Sequence, residues 1–136
     1  MNRYLLDTNI ITAILKGNDN VCEKYWTVVV DGADIYISAI TYYEIKRGFL
    51  WVGAPAQLNK FEEFCEAINI LYLGEKTIFD KASEFYARLK KSGKEHKADA
   101  DIFIAASATI RKLTLVSDDG IFTDIGELAL ENWINR

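Results

Sequence analysis

Acidic side chains stand directly after short apolar segments, or near the start of the helical segments between them, at four separate points of the chain. They are Asp7, Glu44, Asp101 and the adjacent pair Asp118 and Asp119. Carboxylates that converge in one pocket repel one another and raise each other's pKa, a cost that a bound cation offsets. All-oxygen ligation favours Mg²⁺ or Mn²⁺ over zinc or copper, and such ions serve phosphate chemistry. The acids therefore indicate a metal-dependent phosphoryl-transfer site.

Each of these acids also has a purely structural interpretation. Asp7 is a candidate turn residue or helix N-cap, and Asp118 and Asp119 precede a glycine, as turn residues often do. Asp101 can complement the positive end of a helix dipole. The functional interpretation requires a fold that brings the acids together.

Glu44 has a structural alternative of its own. The segment from Thr41 to Glu44 matches a capping box, in which the glutamate reaches back to a backbone N–H at the start of the helix. Glu44 can also pair with Arg47, three residues further along the same helix. Both alternatives stay open at the level of the sequence.

Apolar periodicity predicts alternating strands and helices. Short apolar segments typical of buried strands cover residues 3–6, 35–39, 70–73, 113–117 and 128–131. Helical periodicity covers residues 8–15, 21–30, 41–52, 55–68, 78–89 and 102–110. This pattern predicts an α/β fold in one domain over residues 1–136, with a mostly parallel central sheet of about five strands and helices on both faces. Ligands of such sheets bind at the carboxyl ends of the strands, where the acids fall.

Composition excludes several classes of protein. The net charge of −4 gives no global basic field for nucleic acid. Cys22 and Cys65 lie far apart and form no disulfide framework or metal knuckle, so we expect a reduced, cytoplasmic protein. No signal peptide opens the sequence and no apolar run is long enough to span a membrane, so we expect no membrane partner. The single histidine, His96, argues against a two-histidine nuclease and a His-rich zinc site.

Four segments of the chain together resemble the motifs of a known family. They are Asp7-Thr8-Asn9, ISAITYYEI with Glu44, DIFIAASA with Asp101, and LTLVSDDGIF. In this order and spacing they resemble PIN-domain ribonucleases, and most closely the VapC-type toxins of prokaryotic toxin–antitoxin pairs. The resemblance implies an acidic quartet of Asp7, Glu44, Asp101 and Asp119 around Mg²⁺. The family's last motif corresponds to Ser117 and Asp119 here, with Asp118 at the variable position. Asp99 is an additional acid that the motifs do not require, and it can cap the helix that contains Asp101.

The resemblance also implies partners and a reaction. It implies a homodimer, inhibition by a VapB-type antitoxin, and contact with DNA only through that antitoxin. The expected reaction is hydrolysis of RNA phosphodiesters by metal-activated water, with Mn²⁺ able to replace Mg²⁺. Asp7 and Asp101 would hold the ion, and Glu44 and Asp119 would complete the site directly or through waters. Expected supporting hydrogen-bond groups are Thr8, Asn9 and Ser117.

Contacts to RNA phosphates are expected from basic residues near the acids. The candidates are Lys46, Arg47, Lys90, Lys91, Lys94 and Lys97, for which a solvated surface is the alternative. Tyr42 or Tyr43 can stack on a base, although Tyr42 is equally suited to the core.

Other functions fit the sequence less well. A phosphatase of the haloacid dehalogenase type needs a second Asp where Asn9 stands, and a response-regulator receiver needs an Asp after the third strand, where Gly74-Glu75 follow. Neither GxxxxGK[ST] nor GxGxxG occurs, which disfavours a nucleotide-binding module. The remaining alternatives are another Mg²⁺-dependent phosphoryl-transfer enzyme and a non-catalytic module whose acidic pocket binds a basic partner.

Overall fold

A five-stranded parallel sheet forms the centre of the protein. The computed structural model describes residues 2–94 and 98–134. The strands have the order β3-β2-β1-β4-β5, and every neighbouring pair is parallel. Their bounds are β1 Arg3–Leu6, β2 Asp34–Ser38, β3 Asn69–Leu71, β4 Thr114–Val116 and β5 Leu130–Glu131. The predicted fold class, an α/β fold with a parallel sheet, is confirmed.

Helices cover both faces of the sheet. In the described residues they are α1 Thr8–Leu15, α2 Asp19–Val30, α3 Ala39–Val52, α4 Pro55–Glu66, α5 Lys76–Lys91 and α6 Asp99–Arg111, and a 3-10 helix follows β4 at Gly120–Asp124. Successive strand residues point to opposite faces. Tyr4 and Leu6 therefore join the core beneath α1 to α4, whereas Leu5 joins the core beneath α5 and α6. No helix of the described segments is long and apolar enough to cross a membrane.

The start of α3 differs from the prediction. Ser38, the last residue of β2, is the N-cap, and its side chain accepts a hydrogen bond of 3.1 Å from the backbone N–H of Ile40. Thr41 therefore lies inside the helix and is fully buried. The predicted capping box from Thr41 to Glu44 is wrong, because a serine nearer to the strand already supplies the cap. Glu44 is thus free of that structural role.

The start of α6 differs from the prediction, whereas α1 begins where it was predicted to begin. Helix α6 begins at Asp99 with Ala98 as its N-cap, so Asp101 is the third helical residue, and the expectation that Asp99 caps this helix is wrong. Helix α1 begins at Thr8, and the residue at its N-cap position is Asp7, whose side chain makes no capping hydrogen bond. The Asp7 carboxylate is therefore held by other contacts.

Candidate active site

The pairing of β1 with β4 determines where the first acid lies. Leu6 is opposite Val116 in the parallel ladder, and the N–H of Asp7 donates a hydrogen bond of 2.9 Å to the carbonyl oxygen of Val116. Both strands end at this point, so Asp7 and Ser117 leave the sheet side by side. This arrangement brings together two residues that are 110 positions apart in the sequence.

Hydrogen bonds from Ser117, which directly follows β4, and from Asn9 in α1 hold the Asp7 carboxylate. Only 6% of the residue is exposed. The Ser117 hydroxyl donates to its Oδ2 at 2.8 Å, and the side-chain amide of Asn9 donates to the same oxygen at 3.5 Å and to the Ser117 hydroxyl at 3.3 Å. Asn9 and Ser117 therefore fix the orientation of this carboxylate, as expected of supporting groups.

The electrostatic surroundings of Asp7 disfavour its charged form. Burial raises the pKa of its carboxyl group, the hydrogen bonds from Ser117 and the Thr8 backbone lower it, and the negative charges of Asp101 and Asp119 raise it again. The net shift is upwards. A cation placed beside Asp7 would favour the charged form and so stabilise this part of the fold.

One cleft gathers the four predicted acids. Its volume is about 1040 Å³, and its lining includes Asp7, Glu44, Asp101 and Asp119. The acids come from the end of β1, from α3, from the first turn of α6 and from the loop after β4. Asp7 is buried, Glu44 and Asp101 are partly exposed, and Asp119 is exposed. Because these elements meet at the carboxyl ends of the strands, the cleft lies where the topology predicts a ligand site.

The two adjacent acids after β4 differ in their surroundings: Asp118 contacts Asn132, and Asp119 lines the cleft. The carboxylate of Asp118 accepts a hydrogen bond of 2.8 Å from Asn132, while its backbone N–H donates to the side chain of Asn9. Asp119 lines the cleft, and its N–H donates to the Ser117 hydroxyl at 3.0 Å. The Asp119 carboxylate also accepts from the N–H of Ile121 at the start of the 3-10 helix, so it has a structural contact as well. Of the two acids, only Asp119 lies with the other three.

The donor set of the cleft suits a hard divalent cation, although its side chains do not close around one. All four acids offer oxygen, which is the ligand that Mg²⁺ and Mn²⁺ prefer. Among residues 2–94 and 98–134, no group of three His, Cys, Asp or Glu side chains stands close enough to hold a metal ion by itself. Mg²⁺ commonly keeps several waters and needs only one or two direct carboxylates. The residues therefore fit an ion held partly through water.

Sequence reasoning missed the rest of the cleft lining. It consists mainly of the polar side chains of Thr12, Lys16, Gln57 and Lys60 and the apolar side chains of Leu15, Ile45, Phe49 and Val52. The signal available in the sequence was the spacing of Thr8, Thr12 and Lys16, which repeats on one face of a helix. The contribution of α4 had no such signal, because it depends on how the helices pack.

The basic residues expected to contact RNA lie elsewhere in the part of the chain that the structure describes. None of them is among the residues that line the cleft. Lys46 is within 3.2 Å of Glu62 and of the Tyr42 hydroxyl, and Lys94 pairs with Asp124 at 2.9 Å.

The other candidates within the described residues do not line the cleft either. Arg47 stacks over Tyr43, Lys90 contacts Tyr86, and Lys91 is exposed on α5. Lys97 lies outside the described residues. Tyr42 packs against Phe61, which supports its core interpretation, whereas Tyr43 is 59% exposed.

Comparisons with known proteins agree on one family. The model of a family described as PIN domain matches residues 4–128. Toxin FitB from Neisseria gonorrhoeae is 32% identical over 120 residues, covering 85% of this chain and 86% of that protein. Ribonuclease VapC1 from Haemophilus influenzae is 26% identical over 132 residues, covering 96% of this chain and 97% of that protein.

Solved structures of similar proteins have the same fold. The crystal structure of VapBC2 from Rickettsia felis, bound to a DNA fragment from its promoter, has a TM-score of 0.86 and 25% identity, covering 96% of this chain and 98% of that one. FitAcB from Neisseria gonorrhoeae has a TM-score of 0.80 and 27% identity, covering 98% of this chain and 99% of that one. Both similarities extend over nearly the whole of each chain.

Proposed function

This chain belongs to the PIN-domain family, and on that premise we propose that it is a Mg²⁺-dependent endoribonuclease that acts in the cytoplasm as the toxin of a toxin–antitoxin pair. The observation that carries the proposal is the convergence of Asp7, Glu44, Asp101 and Asp119 on one cleft from four separate segments. Such a cluster of negative charge costs folding energy, and a bound cation offsets that cost. The names of the relatives support RNA as the substrate.

Each residue of the site has a proposed part in the reaction. Asp7 and Asp101 would hold Mg²⁺, and Glu44 and Asp119 would complete the site directly or through waters. When bound, Mg²⁺ supplies positive charge that favours deprotonation of water and offsets the charge that develops on the phosphorus centre. Ser117 and Asn9 keep the Asp7 carboxylate in one orientation through hydrogen bonds to its Oδ2. Such fixed orientation lowers the reorganisation needed when the substrate binds.

The contacts of Asn9 support this assignment over that of an aspartyl phosphatase. Its side-chain amide donates to Asp7 and Ser117, and its side-chain oxygen accepts from the N–H of Asp118. An amide does not serve as a general acid, and this one joins α1 to the loop after β4. Its role in the proposal is to position Asp7.

The proposed partners follow from the relatives. One of the relatives is named Toxin FitB, and one of the similar structures, VapBC2 from Rickettsia felis, is bound to a DNA fragment from its promoter. We propose that this chain binds a VapB-type antitoxin, that it forms a homodimer, and that it contacts DNA only through the antitoxin.

Metal binding is expected to stabilise the folded protein. Mg²⁺ or Mn²⁺ at about a hundred times its dissociation constant should add roughly 2–3 kcal/mol to the free energy of unfolding, because the unfolded chain disperses the carboxylates. Asp101→Asn should weaken this gain, and it should raise the melting temperature of the metal-free protein by relieving repulsion. Thermal unfolding with and without each ion measures both effects. An unchanged melting temperature at millimolar Mg²⁺ and Mn²⁺ would contradict the shared metal site.

A further inference from the structure

We propose that Lys16 and Lys60 form a phosphate-binding subsite at the far end of the same cleft, where they hold the backbone of a single-stranded RNA substrate next to the bond that is cut. The inference rests on the proposed ribonuclease function and adds to it two positioning residues. Both lysines line the cleft together with the acids.

The two lysines come from different parts of the chain, one directly after α1 and one in α4. Asp7 directly precedes α1 and Lys16 directly follows it, so the helix separates acid and lysine by roughly 13 Å along its axis. Lys60 belongs to α4, and its Nζ donates a hydrogen bond of 2.9 Å to the carbonyl oxygen of Leu15, the neighbour of Lys16. Two ammonium groups thus lie near the end of α1, and the acids lie near its start.

Both ammonium groups are available to a phosphate. Lys16 and Lys60 are exposed, and neither has an acidic partner within the described residues. Lys46 and Lys94, by contrast, each have a carboxylate partner. The hydrogen bond to Leu15 uses only one of the three donors of Lys60. This bond supplies a donor to a carbonyl group at the end of α1 and holds the ammonium group at that point.

The shape and lining of the cleft favour a single strand. The cleft volume of about 1040 Å³ is at the upper limit of the range for small-molecule pockets, which leaves room for a short stretch of single-stranded RNA. The lining that includes the acids and the lysines also includes Ile45, Phe49 and Val52, an apolar surface against which a base can lie. An anionic polymer suits both ends of the cleft once a cation neutralises the acids. An acidic peptide would use the lysines only.

The test measures RNA binding without cleavage and then cleavage itself. Wild type and variants are titrated by anisotropy with a fluorescent single-stranded oligoribonucleotide at several salt concentrations, with Ca²⁺ in place of Mg²⁺ so that a cation with oxygen ligands neutralises the acids. Lys16→Gln/Lys60→Gln should weaken binding about tenfold at low salt and reduce the slope of log affinity against log salt by about 1.4, from two lost phosphate contacts. With Mg²⁺, the same variant should raise KM by a similar factor while kcat changes little. Lys16→Arg/Lys60→Arg should restore both values, since it retains the charges.

Matched variants separate this subsite from general surface charge. Lys76→Gln/Lys112→Gln removes two exposed lysines outside the cleft lining and should leave binding unchanged. Lys90→Gln/Lys91→Gln tests the alternative expected from the sequence and should also have little effect. Wild-type affinity and salt slope in Lys16→Gln/Lys60→Gln would overturn the inference, as would undetectable RNA binding by the wild type at low salt. The inference would also be overturned if Lys16→Gln/Lys60→Gln kept its affinity for RNA but lost its affinity for an acidic protein partner. Failure of the wild type to cleave RNA would instead overturn the proposed function.

Discussion

Asp7→Asn and Asp101→Asn are each expected to lower the rate of RNA cleavage by at least about a hundredfold while the protein stays folded. Each substitution keeps the size of the side chain and removes a charge that is proposed to hold the metal ion. Because burial raises the pKa of Asp7, its charge is unfavourable in the folded state, and the asparagine variant should be at least as stable as the wild type at neutral pH. Cleavage rates with Mg²⁺ and thermal unfolding of the same preparations measure the two effects.

Neighbouring acids provide matched controls for these variants. Asp99 lies in the same first turn of α6 as Asp101, but it is exposed and does not line the cleft with the other acids. Asp99→Asn should therefore retain nearly full activity. Asp118→Asn should do so as well, because its carboxylate is turned towards Asn132. Equal losses in Asp99→Asn and Asp101→Asn, or an Asp7→Asn variant within a few-fold of wild type, would contradict the assignment of the site.

Removal of divalent ions is expected to abolish cleavage completely. Asp7, Glu44, Asp101 and Asp119 offer only oxygen ligands, and among the described cleft residues the positive charge lies at the opposite end, on Lys16 and Lys60. Excess EDTA should therefore stop the reaction, and Mg²⁺ or Mn²⁺ added beyond the chelator should restore it. Gel analysis of a labelled RNA under these conditions measures the effect. Full activity in EDTA would contradict the proposed mechanism even if the protein proved to be a ribonuclease.

The sequence predicts the position of the acids well because parallel strands constrain it. Each apolar strand ends at the same edge of the sheet, so a residue that directly follows a strand, such as Asp7, is placed by the topology alone. The pairing of β1 with β4 then brings Ser117 to Asp7 across the whole length of the sequence. The positions of Asp7 and Ser117 therefore follow from the order and pairing of the strands, without knowledge of how the side chains pack.

Helix starts are predicted less well because several residues can act as caps. Ser38 and Thr41 both carry a hydroxyl group, and the choice between them depends on where β2 ends. Asp99 and Asp101 are likewise two acids at the start of one helix, of which the cleft includes only Asp101. Local sequence does not distinguish these alternatives, because the packing of the strand and the helix decides them.

The availability of charged side chains depends on tertiary packing most of all. Lys46 is adjacent to motif residues in the sequence, yet Glu62 and the Tyr42 hydroxyl bind it away from the cleft. Lys60 reaches a carbonyl group that is 45 residues distant, which no periodicity predicts. The structure therefore gives other candidates for RNA contact, Lys16 and Lys60, than the sequence does. The four acids that line the cleft are the ones that the sequence indicates.

Chemical analysis of the ends of the RNA products tests metal-dependent hydrolysis most directly. The chain has a single histidine, and its two cysteines are not among the residues that line the cleft, so the expected nucleophile is water and not the 2′-hydroxyl of the RNA. Cleavage with Mg²⁺ should leave 5′-phosphate and 3′-hydroxyl ends, and an RNA with 2′-deoxyribose at the cleavage position should still be cut. Products with a 2′,3′-cyclic phosphate, or resistance of the deoxy-substituted RNA, would contradict hydrolysis by water in this cleft.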